Sequence, residues 1–164
     1  LGRQVGNQTF HWGNNMEKEK KIHGRVKAVN ISKTKGVVKN PVKEGYFKID
    51  HGLEGDAHAG NWHRQVSLLA SESADKVRAA GLDIEDGKFA ENITTEGIEL
   101  YSLPVGTKLK IGESLQEVTQ IGKECHTGCA IKQAVGECVM PKEGIFTKVI
   151  VSGVVKAGDS IEVV

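Results

Sequence analysis

Glycine interrupts this chain so often that its apolar segments are all short. There are 20 glycines in 164 residues, and they bound β-branched segments such as Gly24–Ser32 and Arg64–Ala70. Short β-branched runs between glycine turns are typical of strands. The last segment has the same pattern, because a turn at Gly158 separates two strand-like runs. We therefore predict a mainly β fold, in the form of a small closed or nearly closed β-barrel.

One stretch has clear helical character. Ser71–Gly81 begins with a serine suited to an N-cap, has acidic residues early and an arginine late, and ends at a glycine. A shorter segment with helical spacing follows at Thr127–Gly136. The predicted barrel thus has between one and three short helices.

The length is that of one domain with its own core. The first fifteen residues, 1–15, are polar, rich in glycine and asparagine, and without periodicity. We interpret them as an added leader or a disordered tail and expect a single barrel domain over residues 16–164. His11 and Trp12 are therefore left out of the functional interpretation.

Charge and cysteine content exclude several classes of partner. The 22 basic residues nearly balance the 21 acidic ones, so no electrostatic footprint for nucleic acid or a membrane surface is present. No apolar run approaches the roughly 20 residues of a membrane helix. The three cysteines are odd in number and clustered, unlike a disulfide framework. These features predict a cytoplasmic protein with no nucleic-acid and no membrane partner.

Polar side chains concentrate between Lys48 and Leu69, around several glycines. Glycine lets a backbone approach a ligand closely, and Arg64 is suited to clamping a phosphate or carboxylate with two hydrogen bonds. His58 either binds an anionic ligand, orients Asp56, or is simply pinned by backbone hydrogen bonds at a turn. The alternative for the whole stretch is a solvated loop at a barrel corner.

All three cysteines lie between Lys123 and Cys138. A thiolate is a soft nucleophile and a soft metal ligand. Cys125 precedes the predicted second helix, whose N-terminus favours a thiolate, and Lys123 and His126 flank it with positive charge. Cys129, one helical turn away, is either a resolving thiol or a small buried hydrophobe. Cys138 follows the glycine that ends this helix and is a third candidate for the same site.

Zinc is the metal alternative for this cluster. Cys125, His126, Cys129 and Cys138 have the ligand types of a Cys₃His site. Their spacing lacks two tight Cys-x-x-Cys pairs, and adjacent residues rarely bind the same ion. A structural zinc ion is therefore disfavoured.

The chain resembles the MOSC domain, the C-terminal domain type of molybdenum-cofactor sulfurases, in its small stand-alone bacterial form. The first matching segment is Asp50–Arg64, and two further segments, Phe89–Leu100 and Leu103–Cys125, resemble the family's Glu-Asn segment and the strand pair that leads to its key cysteine. Gly153–Val163 resembles its closing hairpin. The resemblance covers roughly residues 24–164. The matching positions of the first segment are Asp50, Gly52, Leu53, Gly55, Asp56, His58, Gly60 and Arg64.

This resemblance implies a β-barrel that binds the molybdenum cofactor (molybdopterin) and handles sulfur. Cys125 would present a thiolate or persulfide, or bind molybdenum, in a cleft lined by the loop 50–64. The auxiliary candidates are His126, Cys129 and Cys138. The implied cofactor-binding residues are Asp50, Gly52, Gly55, Asp56, His58, Gly60, Arg64, Asn92 and Lys123.

Two other functions remain open at this point. One is a molybdenum-dependent reductase of N-hydroxylated compounds, with Cys125 as metal ligand and a separate electron donor. The other is a non-catalytic carrier of sulfur or cofactor. The sequence has no segment resembling the pyridoxal-phosphate domain that generates sulfur in full-length sulfurases. The expected partners are therefore a sulfur donor such as a cysteine desulfurase, and molybdenum enzymes or cofactor-biosynthesis proteins.

Overall fold

A computed structural model describes residues 22–35, 37–122 and 140–164. Its regular elements are mostly short strands. They are β1 (His23–Ile31), β2 (Asn40–Val42), β3 (Glu44–Lys48), β4 (Gly52–Leu53), β5 (Val66–Ala70), α1 (Ser71–Arg78), β6 (Ile93–Glu96), a 3₁₀ helix (Leu100–Ser102), β7 (Lys108–Ile111), β8 (Ser114–Ile121), α2 (Met140–Glu143), β9 (Ile145–Val151), β10 (Gly153–Lys156) and β11 (Ser160–Val163).

Seven of these strands form a closed barrel in the order β11-β7-β8-β9-β5-β6-β1. The barrel closes because β1 pairs with β11 in antiparallel register, with His23 opposite Glu162 and Arg25 opposite Ser160. β2 pairs with the far end of β1 and adds a strand outside the closed ring. The predicted mainly β barrel is confirmed.

One pair of neighbouring strands in the barrel is parallel. Leu68 of β5 lies opposite Ile93 of β6, and Ala70 lies opposite Thr95. Parallel neighbours need a crossover connection. Here α1 and the segment 79–92 provide it, with the buried face of α1 packed on Leu69, Phe89 and Phe146. The crossover therefore brings the residues just before β6 back to the end of the barrel where β5 begins.

The end of the chain differs from the predicted hairpin. A turn does occur there, since Gly158 has a φ of 93° and the backbone N–H of Lys156 donates to Asp159 Oδ2 at 2.9 Å. The two flanking strands nevertheless pair with different partners. β10 joins a small second sheet with β3 and β4, whereas β11 pairs with β7 and β1 to close the barrel.

The predicted first helix is present, with a different start. α1 begins at Ser71 itself, and its N-cap residue is Ala70, which makes no side-chain capping bond. The Ser71 hydroxyl instead accepts a hydrogen bond from Lys27 Nζ on β1 at 3.2 Å. The predicted helix over Thr127–Gly136 lies outside the described residues. In the described part of the chain, no helix is both long and apolar enough to cross a bilayer.

The barrel interior is aliphatic, and polar groups are buried at one end of it. The interior side chains include Leu68, Leu109, Ile111, Ile145 and Ile161, all fully buried. Several polar or charged side chains are buried as well. Lys39, Asp56, Glu91 and Asn92 are all nearly inaccessible to solvent. A buried polar group is costly unless it forms hydrogen bonds or ion pairs. The partners of these four side chains therefore identify the part of the fold where polar contacts replace apolar packing.

Candidate functional site

A small cleft opens next to the buried polar groups. It has a volume of about 120 Å³ and is lined by His58, Trp62, Arg64, Ser67, Ala90, Asn92 and Phe146. These residues come from the loop between β4 and β5, from β5, from the end of the crossover and from β9. The loop is held in shape by hydrogen bonds from Trp62 Nε1 to the His58 carbonyl oxygen at 2.9 Å and between His63 Nε2 and Gln120 Oε1 at 3.0 Å.

Arg64 is the cation of this cleft. Its guanidinium carbon lies 4.7 Å from the ring centroid of Trp62 and 5.5 Å from that of Phe146. These distances are those of cation–π contacts, which hold the guanidinium group against the two rings. Arg64 Nε is buried and has no hydrogen-bond partner among the described residues. A buried donor on a permanent cation requires an acceptor, and an anion in the cleft would provide one.

Behind the cleft lies a buried ion pair between Lys39 and Asp56. Lys39 Nζ is 2.8 Å from Asp56 Oδ1, and the two side chains are 1% and 0% exposed. The carboxylate also accepts the backbone N–H groups of Ser32 and His58, each at 3.1 Å. Burial by itself would raise the pKa of Asp56, but the hydrogen bonds from Lys39 and Ser32 outweigh it, and the net pKa is below its usual value. Asp56 is therefore a buried anion, and it holds the start of the loop.

His58 connects this ion pair with the cleft. Its Nδ1 lies 3.1 Å from Lys39 Nζ and 3.9 Å from Asp56 Oδ2. Only the first distance is that of a hydrogen bond. The His58 side chain is 34% exposed, in contrast to the buried lysine, and it lines the cleft. One edge of the imidazole therefore contacts the buried pair, and the rest of the ring belongs to the cleft wall.

Asn92 supports the cleft wall through its amide. Asn92 Oδ1 accepts the backbone N–H of Ser67 on β5 at 3.0 Å, and Nδ2 donates to the carbonyl oxygen of Asn30 on β1 at 3.3 Å. Both ends of the amide thus bond to neighbouring strands. The arrangement explains why an asparagine at this position is useful to the fold, and its contact with a cofactor stays a prediction.

Glu91, next to Asn92, is also a buried acid, but its pKa shifts in the opposite direction to the pKa of Asp56. Its carboxyl group accepts hydrogen bonds from Thr94 Oγ1 at 2.8 Å and from the backbone N–H of Phe89 at 3.2 Å. No cation pairs with it among the described residues. Burial raises the pKa of Glu91 and outweighs these hydrogen bonds, so the folded state favours the protonated form.

This raised pKa gives a testable pH dependence. A carboxyl group whose pKa is higher in the folded state stabilises the fold fully below its unfolded pKa, and this stabilisation is lost as pH rises through the folded value. For Glu91 the loss begins above the ordinary value of 4.5. Glu91→Gln cannot ionise, so we expect its free energy of unfolding to rise relative to that of the wild type as pH rises from there. Urea unfolding over a pH series measures the difference.

Glu44→Gln is the matched control, since Glu44 is an exposed residue of β3. It should change stability little at any pH. If the two Gln variants have the same pH dependence, Glu91 does not ionise unfavourably in the fold.

The structure brings only some of the predicted site residues together. His58, Arg64 and Asn92 line the cleft, and Asp56 lies behind His58. Asp50, Gly52, Gly55 and Gly60 are not among its lining residues. Gly52 pairs with Lys48 in the β3–β4 hairpin, where a Cβ atom would come within 2.7 Å of the Gln65 carbonyl oxygen. These positions shape the loop, and their contact with a cofactor stays a prediction.

The predicted cysteine cluster falls in a part of the chain that the structure does not describe. Lys123, Cys125, His126, Cys129 and Cys138 lie outside the described residues. The chain on either side of them is described. The Gly122 N–H donates to the Gly144 carbonyl oxygen at 2.6 Å, and Gln120 holds His63 of the cleft loop. Within the described ranges, no group of three or more His, Cys, Asp or Glu side chains is arranged to hold a metal ion.

Several residues of the site were missed in the sequence interpretation. Lys39 lies in a lysine-rich loop whose charge pattern is that of a solvated segment, so nothing local indicates its burial. Phe146 reads as an ordinary strand residue of β9. Trp62 lies inside the loop motif, two positions before Arg64. An aromatic residue so close to an arginine is the one local feature that could have indicated a cation–π contact. For Ser67 the sequence predicts only a strand position.

Comparison with known proteins gives a consistent result. The MOSC domain family matches over residues 55–162. A search of curated proteins found no match. Among solved structures, the YuaD protein from Bacillus subtilis is similar with a TM-score of 0.72 and 20% identity, over 87% of this chain and 96% of that one. YiiM from Geobacillus stearothermophilus is similar with a TM-score of 0.65 and 19% identity, over 86% of this chain and 75% of the other.

YiiM from Escherichia coli gives a TM-score of 0.60 at 22% identity, over 87% of this chain and 70% of that one. Identities this low show a shared fold. The family match runs from the cleft loop through Arg64 and Asn92 to the closing strand and takes in well over half of the residues. It confirms the resemblance predicted from the sequence, and the chain therefore belongs to the MOSC domain family.

Proposed function

We propose that the cleft binds the anionic end of a molybdenum cofactor, and that the protein handles sulfur for that cofactor through Cys125. The observation on which the binding part depends is the buried Nε of Arg64, which has no acceptor among the described residues. A guanidinium group that contacts both Trp62 and Phe146 is prepared for an oxyanion, because these contacts restrict its movement before the ligand arrives.

The volume of the cleft limits the size of the ligand group that it can hold. A volume of about 120 Å³ is well below the roughly 300–1,000 Å³ of a pocket for a complete drug-sized ligand. It suits a phosphate-sized group, and molybdopterin has one phosphate. Arg64 would form hydrogen bonds with that phosphate, and His58 would lie beside the phosphate. Trp62 and Phe146 would exclude water from the guanidinium group. When bound, the cofactor supplies a metal centre that exchanges oxygen or sulfur ligands.

The sulfur part of the proposal comes from the sequence and from family membership. The Cys125 thiolate would attack the outer sulfur of a donor persulfide, R–S–SH. The new S–S bond forms on Cys125, the donor S–S bond breaks, and the donor leaves as the thiolate R–S⁻, so that atoms and electrons balance. The donor would be a protein persulfide of the kind that a cysteine desulfurase carries. Molybdenum enzymes or cofactor-biosynthesis proteins would receive the sulfur or the cofactor.

Removing the Arg64 side chain tests the binding part. Arg64→Ala is expected to weaken binding of inorganic phosphate, or of molybdopterin, by about 1.5–3 kcal/mol, the range for a hydrogen bond to a charged group. The free energy of unfolding should fall by no more than about 1–2 kcal/mol, because Arg64→Ala removes only the two cation–π contacts with Trp62 and Phe146 and no hydrogen bond of Nε within the described fold. Isothermal titration calorimetry gives the affinity, and urea unfolding gives the stability.

Arg25→Ala is the matched control. Arg25 pairs with Glu96 at 2.6 Å on the barrel surface and does not line the cleft, so removing it changes the net charge equally. Equal affinities in Arg64→Ala and the wild type would contradict the binding proposal. Equal losses in the two variants would assign the effect to net charge.

Metal analysis distinguishes this proposal from a molybdenum-dependent reductase. Protein purified anaerobically from a molybdenum-replete host should carry a persulfide, visible as one added sulfur atom in the intact mass. Bound molybdenum together with turnover of an N-hydroxylated compound would instead support the reductase.

A further inference from the structure

We infer that Ala90 closes the inner end of the cleft with its methyl group, so that the cleft takes the terminal phosphate of a monoester and excludes a phosphate with organic groups on two of its oxygens. The inference rests on the proposed anion binding and adds to it the class of ligand. A phosphodiester, or the diphosphate bridge of a dinucleotide, belongs to the excluded class.

Ala90 has a backbone conformation that favours glycine. Its φ is 62°, in the left-handed region, which a residue with a side chain adopts at a cost in free energy. Among the residues that the structure describes, Asp50 is the only other non-glycine with a positive φ. A glycine would adopt this φ without the cost. A strained residue on the wall of a ligand site therefore points to a function for its side chain.

Contacts on both sides of Ala90 hold it in this conformation. Its backbone N–H donates to the Gly87 carbonyl oxygen at 3.0 Å, and its own carbonyl oxygen accepts a hydrogen bond from Ser67 Oγ at 3.1 Å. The next residue, Glu91, is buried, and its carboxyl group accepts the Phe89 N–H at 3.2 Å. Because both polar backbone groups of Ala90 are bonded within the fold, the methyl group is what this residue adds to the cleft wall.

Ala90 lies at the inner end of the cleft. Ser67 Oγ bonds both to its carbonyl oxygen and, at 3.1 Å, to the backbone N–H of Asn92, so the three residues form one wall. Ser67 and Asn92 are 8% and 1% exposed, whereas Trp62, which also lines the cleft, is 38% exposed. The mouth of the cleft is therefore on the side of Trp62, and the closed end is on the side of Ala90.

A closed end decides how a phosphate group can enter. In a monoester, three phosphate oxygens are unsubstituted, and the single organic group can leave through the mouth. In a diester, the second substituted oxygen has to point into the cleft, where a volume of about 120 Å³ and the Ala90 methyl group leave no space for it. The unsubstituted oxygens carry the charge that Arg64 would bind. The cleft is therefore suited to a terminal phosphate.

Removing one methyl group from the wall and adding one to the ligand tests the inference. Dimethyl phosphate has one methyl group more than methyl phosphate, and Ala90→Gly has one fewer than the wild type. Isothermal titration calorimetry gives the affinity ratio of dimethyl phosphate to methyl phosphate for each protein, and comparing the ratios cancels the different charges of the two ligands. We expect this ratio to be at least about tenfold higher in Ala90→Gly, as for one methylene in a pocket.

The same variant tests the strain without any ligand. We expect the Tm of Ala90→Gly to equal that of the wild type or to exceed it by up to about 4 °C, because glycine relieves the left-handed conformation. Ala79→Gly is the matched control, since Ala79 is exposed, has a φ of −63° and does not line the cleft. It should lower the Tm and leave the ligand ratio unchanged. A loss in Ala90→Gly as large as in Ala79→Gly would overturn the strained conformation and the inference with it.

The outcomes separate the inference from the proposed function. If the wild type binds methyl phosphate, Arg64→Ala weakens that binding, and Ala90→Gly leaves the ligand ratio unchanged, then anion binding stands and the role of Ala90 is overturned. If neither the wild type nor Ala90→Gly binds methyl phosphate, the proposed anion binding fails, and the role of Ala90 fails with it.

Discussion

Lys39→Met is expected to destabilise the fold by about 3–5 kcal/mol, because it removes one partner of a buried ion pair and leaves the other charged. Asp56 is completely buried, and its remaining hydrogen bonds come from backbone N–H groups of Ser32 and His58. These two donors do not neutralise the carboxylate. A typical small domain has only about 5–15 kcal/mol in total, so the variant loses a large part of its stability. Urea unfolding at neutral pH measures the loss.

Lys35→Met is the control, since Lys35 is exposed in the same loop. It should change the free energy of unfolding by less than about 0.5 kcal/mol, as surface substitutions usually do. The double variant with Asp56→Asn should recover much of the loss, because no charge is then left unpaired. A cost below about 1 kcal/mol for Lys39→Met is typical of an exposed ion pair and would contradict the buried arrangement.

Cys125→Ser is expected to abolish sulfur loading completely. A hydroxyl group is a poor nucleophile toward a persulfide, and it cannot hold a sulfur atom as a stable S–S bond. The barrel should remain folded, because serine is nearly the same size and shape as cysteine. Intact mass after anaerobic incubation with a persulfide donor measures loading, and circular dichroism checks the fold.

The other two cysteines are the internal controls. Cys129→Ser should keep part of the loading, and Cys138→Ser should keep more. In the wild type, Cys125 should alkylate first near neutral pH, because the rate follows the thiolate fraction. If all three thiols resist alkylation until a chelator is added, and each serine variant unfolds, the cluster is a structural zinc site.

Local patterns were sufficient to predict the barrel. The alternating β-branched run that becomes β1, and the run with early acidic residues and a late arginine that becomes α1, each depend on residues close together in the chain. Arg64 and His58 were likewise found because the loop that holds them is one contiguous, glycine-rich motif.

The buried part of the site depends on contacts between distant residues. Lys39 meets Asp56 only because β1, β2 and the loop after β4 converge in the fold, and a lysine beside other lysines has no local sign of burial. Phe146 reaches Arg64 because β9 pairs with β5, with Phe146 opposite Ser67. Strand order is set by the whole chain, so the contact of the guanidinium group with Phe146 could not be predicted from the sequence.

The pairing of β1 with β11, which closes the barrel, also affects how this chain folds. The strand that begins at His23 finds its partner at Glu162, almost the whole length of the chain later. Closing such a long loop is slow, and folds dominated by distant pairings fold in milliseconds to seconds. During synthesis, this edge of β1 cannot pair with β11 until β11 has left the ribosome. Over that interval it is an unpaired strand edge of the kind that other chains can join, so chaperone binding to the nascent chain would matter most before the final strand emerges.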